Sequence, residues 1–214
     1  MNERKILIVA FLLILPFYSF SQSKFGVGGS YIYNNSEYVL GKVIPFVDSF
    51  SILDDKNGFD VELHYKYRFN EKFAISSKVD YLRVKQKYEI VFLSLLYDKF
   101  ERVFDQHYLE FAVYPNLYFS RDFAVYFGPK LIYNIKNSEV NNELNEYGLG
   151  INFNTMSIGL DIGLNYVYEM FYFDLSYSYL PNHTIGNIEI LNYQSDIPVT
   201  YNATRVNFTV GLEF

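Results

Sequence analysis

The chain has 214 residues, among them 22 tyrosines and 21 phenylalanines, and a formal net charge of −6. It contains no cysteine, so disulfides and thiolate metal centres are excluded. The acidic balance, without a stripe of basic residues, argues against nucleic acid as a partner.

The N-terminus is organised like a secretory signal. Two basic residues precede an apolar run over residues 6–17, and two serines then provide the small side chains that a signal peptidase reads. The run is shorter than the ~20 apolar residues that a membrane-spanning helix needs. We predict a cleaved signal peptide over residues 1–21 and one mature domain over residues 22–214. An N-terminal anchor that is never cleaved is the alternative.

Apolar and polar residues alternate in segments along the rest of the chain. The pattern is clearest in residues 58–69 and in the last eleven residues, which end on Phe214. A period of two indicates a strand with one apolar and one polar face. We predict eight strands, at residues 24–34, 58–69, 72–85, 106–119, 122–135, 155–168, 171–180 and 204–214.

The connections between these strands alternate in length. The short ones are residues 70–71, 120–121 and 169–170, and the long ones are residues 35–57, 86–105, 136–154 and 181–202. This rhythm is typical of outer-membrane barrels, which have tight periplasmic turns and long external loops. We therefore predict an all-β fold, an eight-stranded antiparallel up-and-down transmembrane β-barrel. A soluble exported barrel or sandwich, with the apolar face as its core, is the alternative.

Several short motifs carry a resemblance to a known family. They are Leu109-Glu110-Phe111, Tyr114-Pro115, Phe127-Gly128-Pro129, residues 158–163 and residues 210–214. Together they make the mature chain similar to the porin-like β-barrel family of small Gram-negative outer-membrane proteins. The resemblance implies an outer-membrane location, and it implies no catalytic residues.

The polar faces of the strands carry charges of both signs, which a barrel would place in its lumen. The lumen candidates are Glu62, Lys66, Arg68, Lys78, Asp80, Glu110, Lys130, Asp161, Asp174, Arg205 and Glu213. Eight strands leave a lumen about wide enough for side chains to fill, and a buried charge has to be paired. We predict a salt-bridge and hydrogen-bond network that plugs the barrel. A narrow water or ion path is the alternative.

The three histidines, His64, His107 and His183, are scattered along the chain. They lack the spacing of zinc ligands, and none has the neighbours that a catalytic triad needs. We therefore expect no metal, no cofactor and no catalytic residue. A lipid-modifying enzyme is the least favoured alternative.

Two long connections are unusually apolar. Their candidate partner-binding residues are Val43, Phe46, Phe50, Phe92, Leu96 and Phe100. Phe92, Leu96, Phe100 and Val103 also fit helical spacing. Either the strands continue beyond the membrane, or the loops pack together as a cap, or the apolar residues form a docking surface for an envelope protein or an amphipathic ligand.

These observations predict a non-enzymatic outer-membrane barrel with a structural or interaction role. The alternatives are a subunit of an envelope secretion or assembly complex, and a narrow porin or carrier for a small hydrophobic solute. The expected partners are outer-membrane lipid and the barrel-assembly machinery, for which Phe214 is the candidate signal. An envelope protein that binds the external loops is a further candidate partner.

Overall fold

The computed structural model describes residues 23–39, 47–55, 58–92, 99–139, 149–153, 155–190 and 193–214. These residues form ten strands: β1 (Ser23–Val39), β2 (Val47–Asp55), β3 (Gly58–Arg68), β4 (Phe73–Phe92), β5 (Lys99–Tyr118), β6 (Phe123–Glu139), β7 (Leu149–Phe153), β8 (Met156–Tyr168), β9 (Phe171–Ile190) and β10 (Tyr193–Glu213). Among the described residues, no helix is long and apolar enough to cross a bilayer.

Eight of the strands close into an antiparallel barrel. Their order is β10-β1-β3-β4-β5-β6-β8-β9, and β9 pairs with β10 to complete the ring. Between β1 and β10 the register runs from Gly26 opposite Glu213 to Val39 opposite Thr200. Closure removes the exposed strand edges at which an open sheet would aggregate. The predicted eight-stranded barrel is confirmed.

The strands extend further than the sequence predicted. β4 and β5 continue well into the connection between them, and β2 and β7 lie in connections that were predicted as loops. The helical interpretation is wrong for Phe92, Phe100 and Val103, which lie on strands. Aromatic and β-branched residues favour strand structure here, and Ile90 opposite Phe100 continues the ladder between β4 and β5.

Three tight turns close one end of the barrel, which we call the short-turn end. In the first, Asn70 Oδ1 accepts a hydrogen bond from the backbone N–H of Phe73, at 3.0 Å. In the second, Ser120 Oγ accepts one from the backbone N–H of Phe123, at 3.1 Å. In the third, Glu169 adopts a left-handed conformation with φ of 56°. Short polar side chains thus replace the missing ladder bonds where the strands reverse.

The outward face is apolar around the whole barrel. All eight wall strands expose large hydrophobic side chains, and Phe59 on β3 is 68% exposed. On β4 the outward residues from Phe73 to Tyr81 are uncharged, and Arg83 is the first outward charge. A strand rises ~3.4 Å per residue, so the distance from Phe73 to Arg83 along the barrel axis is roughly 26 Å at a tilt of ~40°. That height matches the ~25 Å apolar band of an outer-membrane barrel.

Inward-facing glycines leave room for inward-facing tyrosine rings. A Cβ on Gly163 would collide with the ring of Tyr126. In the same way, a Cβ on Gly28 or Gly211 would meet the ring of Tyr172. Small and large residues therefore fill the lumen in a complementary way, as expected for the interior of a small barrel.

We predict that Gly163→Ala destabilises the folded barrel by about 1–3 kcal/mol, the usual cost of overpacking. The new methyl group would displace Tyr126, whose hydroxyl donates a hydrogen bond of 2.7 Å to Asp174. The control is Gly29→Ala, whose nearest neighbouring atom would be the carbonyl oxygen of Asp60 at 3.8 Å. We expect that variant to be neutral or slightly stabilised. Urea unfolding of the refolded barrel measures both, and equal effects of the two substitutions would contradict the proposed packing.

Candidate functional site: the lumen network

The structure places ten of the eleven predicted lumen charges inside the barrel. The ten buried residues are Glu62, Lys66, Lys78, Asp80, Glu110, Lys130, Asp161, Asp174, Arg205 and Glu213. They come from β3, β4, β5, β6, β8, β9 and β10, on the strand faces opposite the exposed apolar residues. The period-two pattern therefore places apolar residues on the outer face and charged or polar residues on the inner face of each of these strands.

The network begins near the short-turn end, around Glu213. Its Oε2 lies 2.6 Å from Lys66 Nζ and 3.2 Å from His64 Nε2. Lys66 Nζ also donates a hydrogen bond to Asn165 Oδ1, at 3.1 Å. His64 Nδ1 is 3.1 Å from Glu62 Oε1, so the imidazole bridges two carboxylates. This part of the network connects β3 with β8 and β10.

The middle of the network is centred on Lys78. Its Nζ lies 3.1 Å from Glu62 and 3.3 Å from Asp174. Two tyrosine hydroxyls complete the arrangement: Tyr126 donates to Asp174 at 2.7 Å, and Tyr172 donates to Glu62 at 3.0 Å. Both carboxylates thus face a cation and a hydroxyl donor, which offsets the cost of burying their charge.

The network ends in a third group, around Lys130. Its Nζ lies 3.0 Å from Glu110 and 2.9 Å from Asp161. Arg205 donates a hydrogen bond to Glu110, and Tyr114 donates one to Asp161. The group joins β5, β6, β8 and β10 across the full width of the lumen.

An apolar layer crosses the lumen at the level where the network ends. It consists of the fully buried residues Ile32, Leu82, Ile132 and Leu180. Each lies nine residues after the first residue of its strand, on β1, β4, β6 and β9. Near the short-turn end, Ala74, Tyr118 and Ala124 form a smaller buried apolar cluster. Apolar side chains therefore flank the charged network along the barrel axis.

Arg68 does not join the network, although the sequence placed it there. Its Nη2 donates to the carbonyl oxygen of Glu71 at 2.7 Å, and its Nη1 donates to that of Arg121 at 3.1 Å. The guanidinium carbon lies 3.9 Å from the centre of the Tyr118 ring. Arg68 is close enough to the end of its strand to reach both neighbouring turns, so it caps backbone carbonyls at the rim.

Several lumen residues were missed as network members. They are Asp60, His64, Tyr114, Tyr126 and Tyr172, all of which are buried. The signal was present, because each occupies a polar-face position of a predicted strand. The tyrosines were left out because the predicted network consisted of charged residues only, whereas the hydroxyl of a buried tyrosine also requires a hydrogen-bond partner.

A polar group on the outer face marks the end of the apolar band. Arg83 Nη2 lies 2.6 Å from Asp105, and the hydrogen bonds from Arg83 lower the pKa of the Asp105 carboxyl. His107 Nδ1 is 2.5 Å from the Tyr81 hydroxyl, while its Nε2 is 3.7 Å from Asp105. His107 therefore belongs to a surface cluster at the membrane boundary.

The predicted loop residues are only partly described. Phe50 lies on β2, Phe92 on β4 and Phe100 on β5, whereas Val43, Phe46 and Leu96 fall outside the described residues. His183 lies on β9. Within the described ranges, no three His, Cys, Asp or Glu side chains form a group that could hold a metal ion.

Comparison with solved structures shows the same fold in one small outer-membrane barrel, OprG, and finds weaker similarity to two others. The outer membrane protein OprG from Pseudomonas aeruginosa is 12% identical, with a TM-score of 0.55, and the match covers 90% of this chain and 96% of OprG. Neisserial surface protein A is 16% identical, with a TM-score of 0.47, and the match covers 90% of this chain and 97% of that protein. The attachment invasion locus protein Ail of Yersinia pestis is 13% identical, with a TM-score of 0.46, and the match covers 90% of this chain and 99% of Ail.

The family comparison is more direct. No curated protein matches the chain. The family model described as "Outer membrane protein beta-barrel domain" matches residues 18–181, which is most of the sequence. The chain therefore belongs to the outer membrane protein β-barrel domain family, whose members are located in the outer membrane of Gram-negative bacteria.

Proposed function

We propose that this chain is a non-enzymatic barrel with a closed lumen, which serves a structural or interaction role in the outer membrane. The observation that supports the proposal is the ion-pair network that fills the lumen from Glu213 to Arg205. Its charged side chains are engaged with one another across the barrel, so they stabilise the wall.

The remaining space in the lumen supports a closed state. Within the part of the lumen that the structure describes, cavities of only about 10 Å³ lie among the network side chains, as they do beside Asp80 and beside Asn165. That volume is about the minimum for one water molecule. An ion crossing the barrel would have to separate ion pairs in the network and then pass the apolar layer of Ile32, Leu82, Ile132 and Leu180. A hydrophobic solute would meet the same charged obstacle, which argues against the lumen as a carrier route.

The other end of the barrel supports an interaction role. β2 pairs with β4, and β7 pairs with β9, beyond the register of the eight-stranded wall. The wall therefore continues past the apolar band at the end opposite the short turns, which in outer-membrane barrels faces outward. A surface raised above the membrane in this way suits contact with another envelope component.

The closed lumen predicts that the refolded mature barrel shows no discrete conductance in a planar lipid bilayer. Heat-modifiable migration on a gel would verify that the protein tested is folded. Reproducible single-channel steps from folded protein would contradict the closed state and favour the narrow porin.

The structural role of the network predicts that Lys130→Met destabilises the barrel by about 3–5 kcal/mol, the usual cost of breaking a buried pair. The substitution would remove the cation that lies within 3.0 Å of both Glu110 and Asp161. Lys85→Met, at an exposed outward position, is the control and should change stability by less than ~0.5 kcal/mol. Urea unfolding compares the two, and equal stabilities would argue against a structural network.

We also propose that Phe214 acts as a signal for the barrel-assembly machinery. Phe214→Ala should then lower the amount of folded barrel in the outer membrane several-fold. The control is Phe119→Ala, because Phe119 is 67% exposed at the short-turn end and Phe214 is 66% exposed. Refolding of both variants in detergent should be similar, since the backbone of Phe214 pairs with Phe25 whatever its side chain. Equal membrane levels of the two variants would show that Phe214 carries no special signal.

A further inference from the structure

Three residues that can carry a positive charge form a row across the outer face of the wall. Arg83 on β4 lies opposite His107 on β5, and His107 lies opposite Lys136 on β6. Directly opposite side chains on neighbouring strands are ~5 Å apart at Cβ, so Arg83 and Lys136 stand about 10 Å apart with the imidazole between them. We call these three residues the basic row.

The basic row follows directly on the apolar band. On the three strands, the last outward residues before the row are Tyr81, Leu109 and Ile135. Arg83 lies roughly 5 Å beyond Tyr81 along the barrel axis. The row is at the end opposite the short turns, which in outer-membrane barrels faces outward. The headgroup phosphates of outer-leaflet lipids are therefore within reach of these side chains.

A β-bulge brings Lys136 into this position. The register between β5 and β6 shifts between His107 and Tyr108, and Ile135 is the extra residue. Asn134 is buried in the lumen, so regular alternation would turn residue 136 toward the lumen as well. The bulge instead leaves Ile135 and Lys136 both exposed on the outer face. Bulges commonly re-aim a side chain next to a functional site, and this one places a lysine beside lipid.

The basic row keeps free donors. Asp105 accepts hydrogen bonds from Nε and Nη2 of Arg83, at 2.9 and 2.6 Å, which orients the guanidinium. Within the described residues, Nη1 of Arg83 forms no hydrogen bond, and neither Lys85 nor Lys136 forms an ion pair. Nε2 of His107 is 3.7 Å from Asp105, beyond hydrogen-bond distance. Two lysines and an arginine thus face one carboxylate, so this cluster keeps a positive charge.

A lipid phosphate fits this arrangement. Guanidinium N–H groups bind phosphate oxygens in a fork, and a lysine adds a compact point charge. Basic residues next to a membrane-spanning segment attract anionic headgroups. A soluble anion could use the same donors, but the exposed rings of Tyr81 and Tyr133 lie directly below the row. Only a lipid has both a phosphate for the donors and acyl chains for this surface.

We propose that the basic row binds the phosphate of an anionic outer-leaflet lipid, whose acyl chains lie on the apolar band below it. Arg83 and Lys136 hold the phosphate from two sides. The Tyr81 hydroxyl donates to Nδ1 of His107, so Nε2 carries the hydrogen that the phosphate accepts. The site is on the outside of the wall and goes beyond the closed-lumen function proposed above.

The test is native mass spectrometry of the refolded mature barrel in detergent, with dioleoyl phosphatidic acid or dioleoyl phosphatidylcholine added at equal concentration. Phosphatidic acid is the probe because no headgroup alcohol shields its phosphate. We expect the folded wild type to retain one phosphatidic acid molecule several-fold more often than one phosphatidylcholine. Lys136→Gln should lose most of this preference, whereas Lys136→Arg should keep it because the positive charge remains.

Lys72→Gln is the matched control, because Lys72 is an exposed lysine in a tight turn at the short-turn end. This variant should retain phosphatidic acid like the wild type. Heat-modifiable migration verifies that each variant is folded, and Arg83→Gln removes a second donor if Lys136→Gln fails to fold. Millimolar inorganic phosphate should not displace the bound lipid, because it has no acyl chains to contact the band.

Equal retention of the two lipids by the wild type would overturn the proposal, and so would an unchanged preference in Lys136→Gln. An equal loss in Lys72→Gln would also overturn it, because net charge and not the basic row would then be responsible. Displacement by inorganic phosphate would overturn the assignment to a lipid and indicate a soluble phosphate ligand. None of these results bears on the closed lumen, which the conductance measurement tests separately.

Discussion

No water reaches the middle of a bilayer, so every backbone N–H and C=O in the wall of this protein has to find its partner in a neighbouring strand. Pairing of β1 with β10 meets this requirement, since it leaves no open edge along the apolar band. The same constraint turns the apolar residues outward and every charge within the band inward. Because the outer face of the wall has to be apolar, the charged side chains of the strands point into the lumen, where they have to be neutralised.

The lumen network is the consequence of that neutralisation. Three basic side chains contact carboxylates on strands that are not their neighbours in the ring: Lys66 contacts Glu213, Lys78 contacts Asp174 and Arg205 contacts Glu110. Tyrosines donate to carboxylates of the network, and inward glycines provide the space for their rings. The network therefore supports the ladder by joining opposite sides of the barrel. It also fills the passage that a channel would use, so a rigid wall and an open lumen are competing demands in a barrel of this size.

The sequence predicted the fold better than the site, for identifiable physical reasons. Alternation in residues 58–69 and 204–214 depends on local geometry, since successive side chains point to opposite faces of a strand. The extensions of β4 and β5 were only one of several alternatives, because Phe92 and Phe100 also fit helical spacing. Only pairing across the hairpin decides between a strand and a helix here. Arg68 was misplaced because the alternating pattern indicates which face of the strand a residue lies on. It does not indicate how far a long side chain reaches past the end of that strand. Tyr126 and Tyr172 were missed because their partners, Asp174 and Glu62, are distant in sequence.

By itself, the sequence determined that this protein is a β-barrel with an apolar exterior and a charged interior, because period-two alternation and the lengths of the turns are properties of short segments. The tertiary structure decided which charges meet. Lys130 lies between Glu110 and Asp161, and Asp60 and Asp80 remain without a basic partner, because strand register and tilt set the height of each side chain in the lumen. Register accumulates around the closed ring, so it depends on all eight strands at once and cannot be obtained from any one of them.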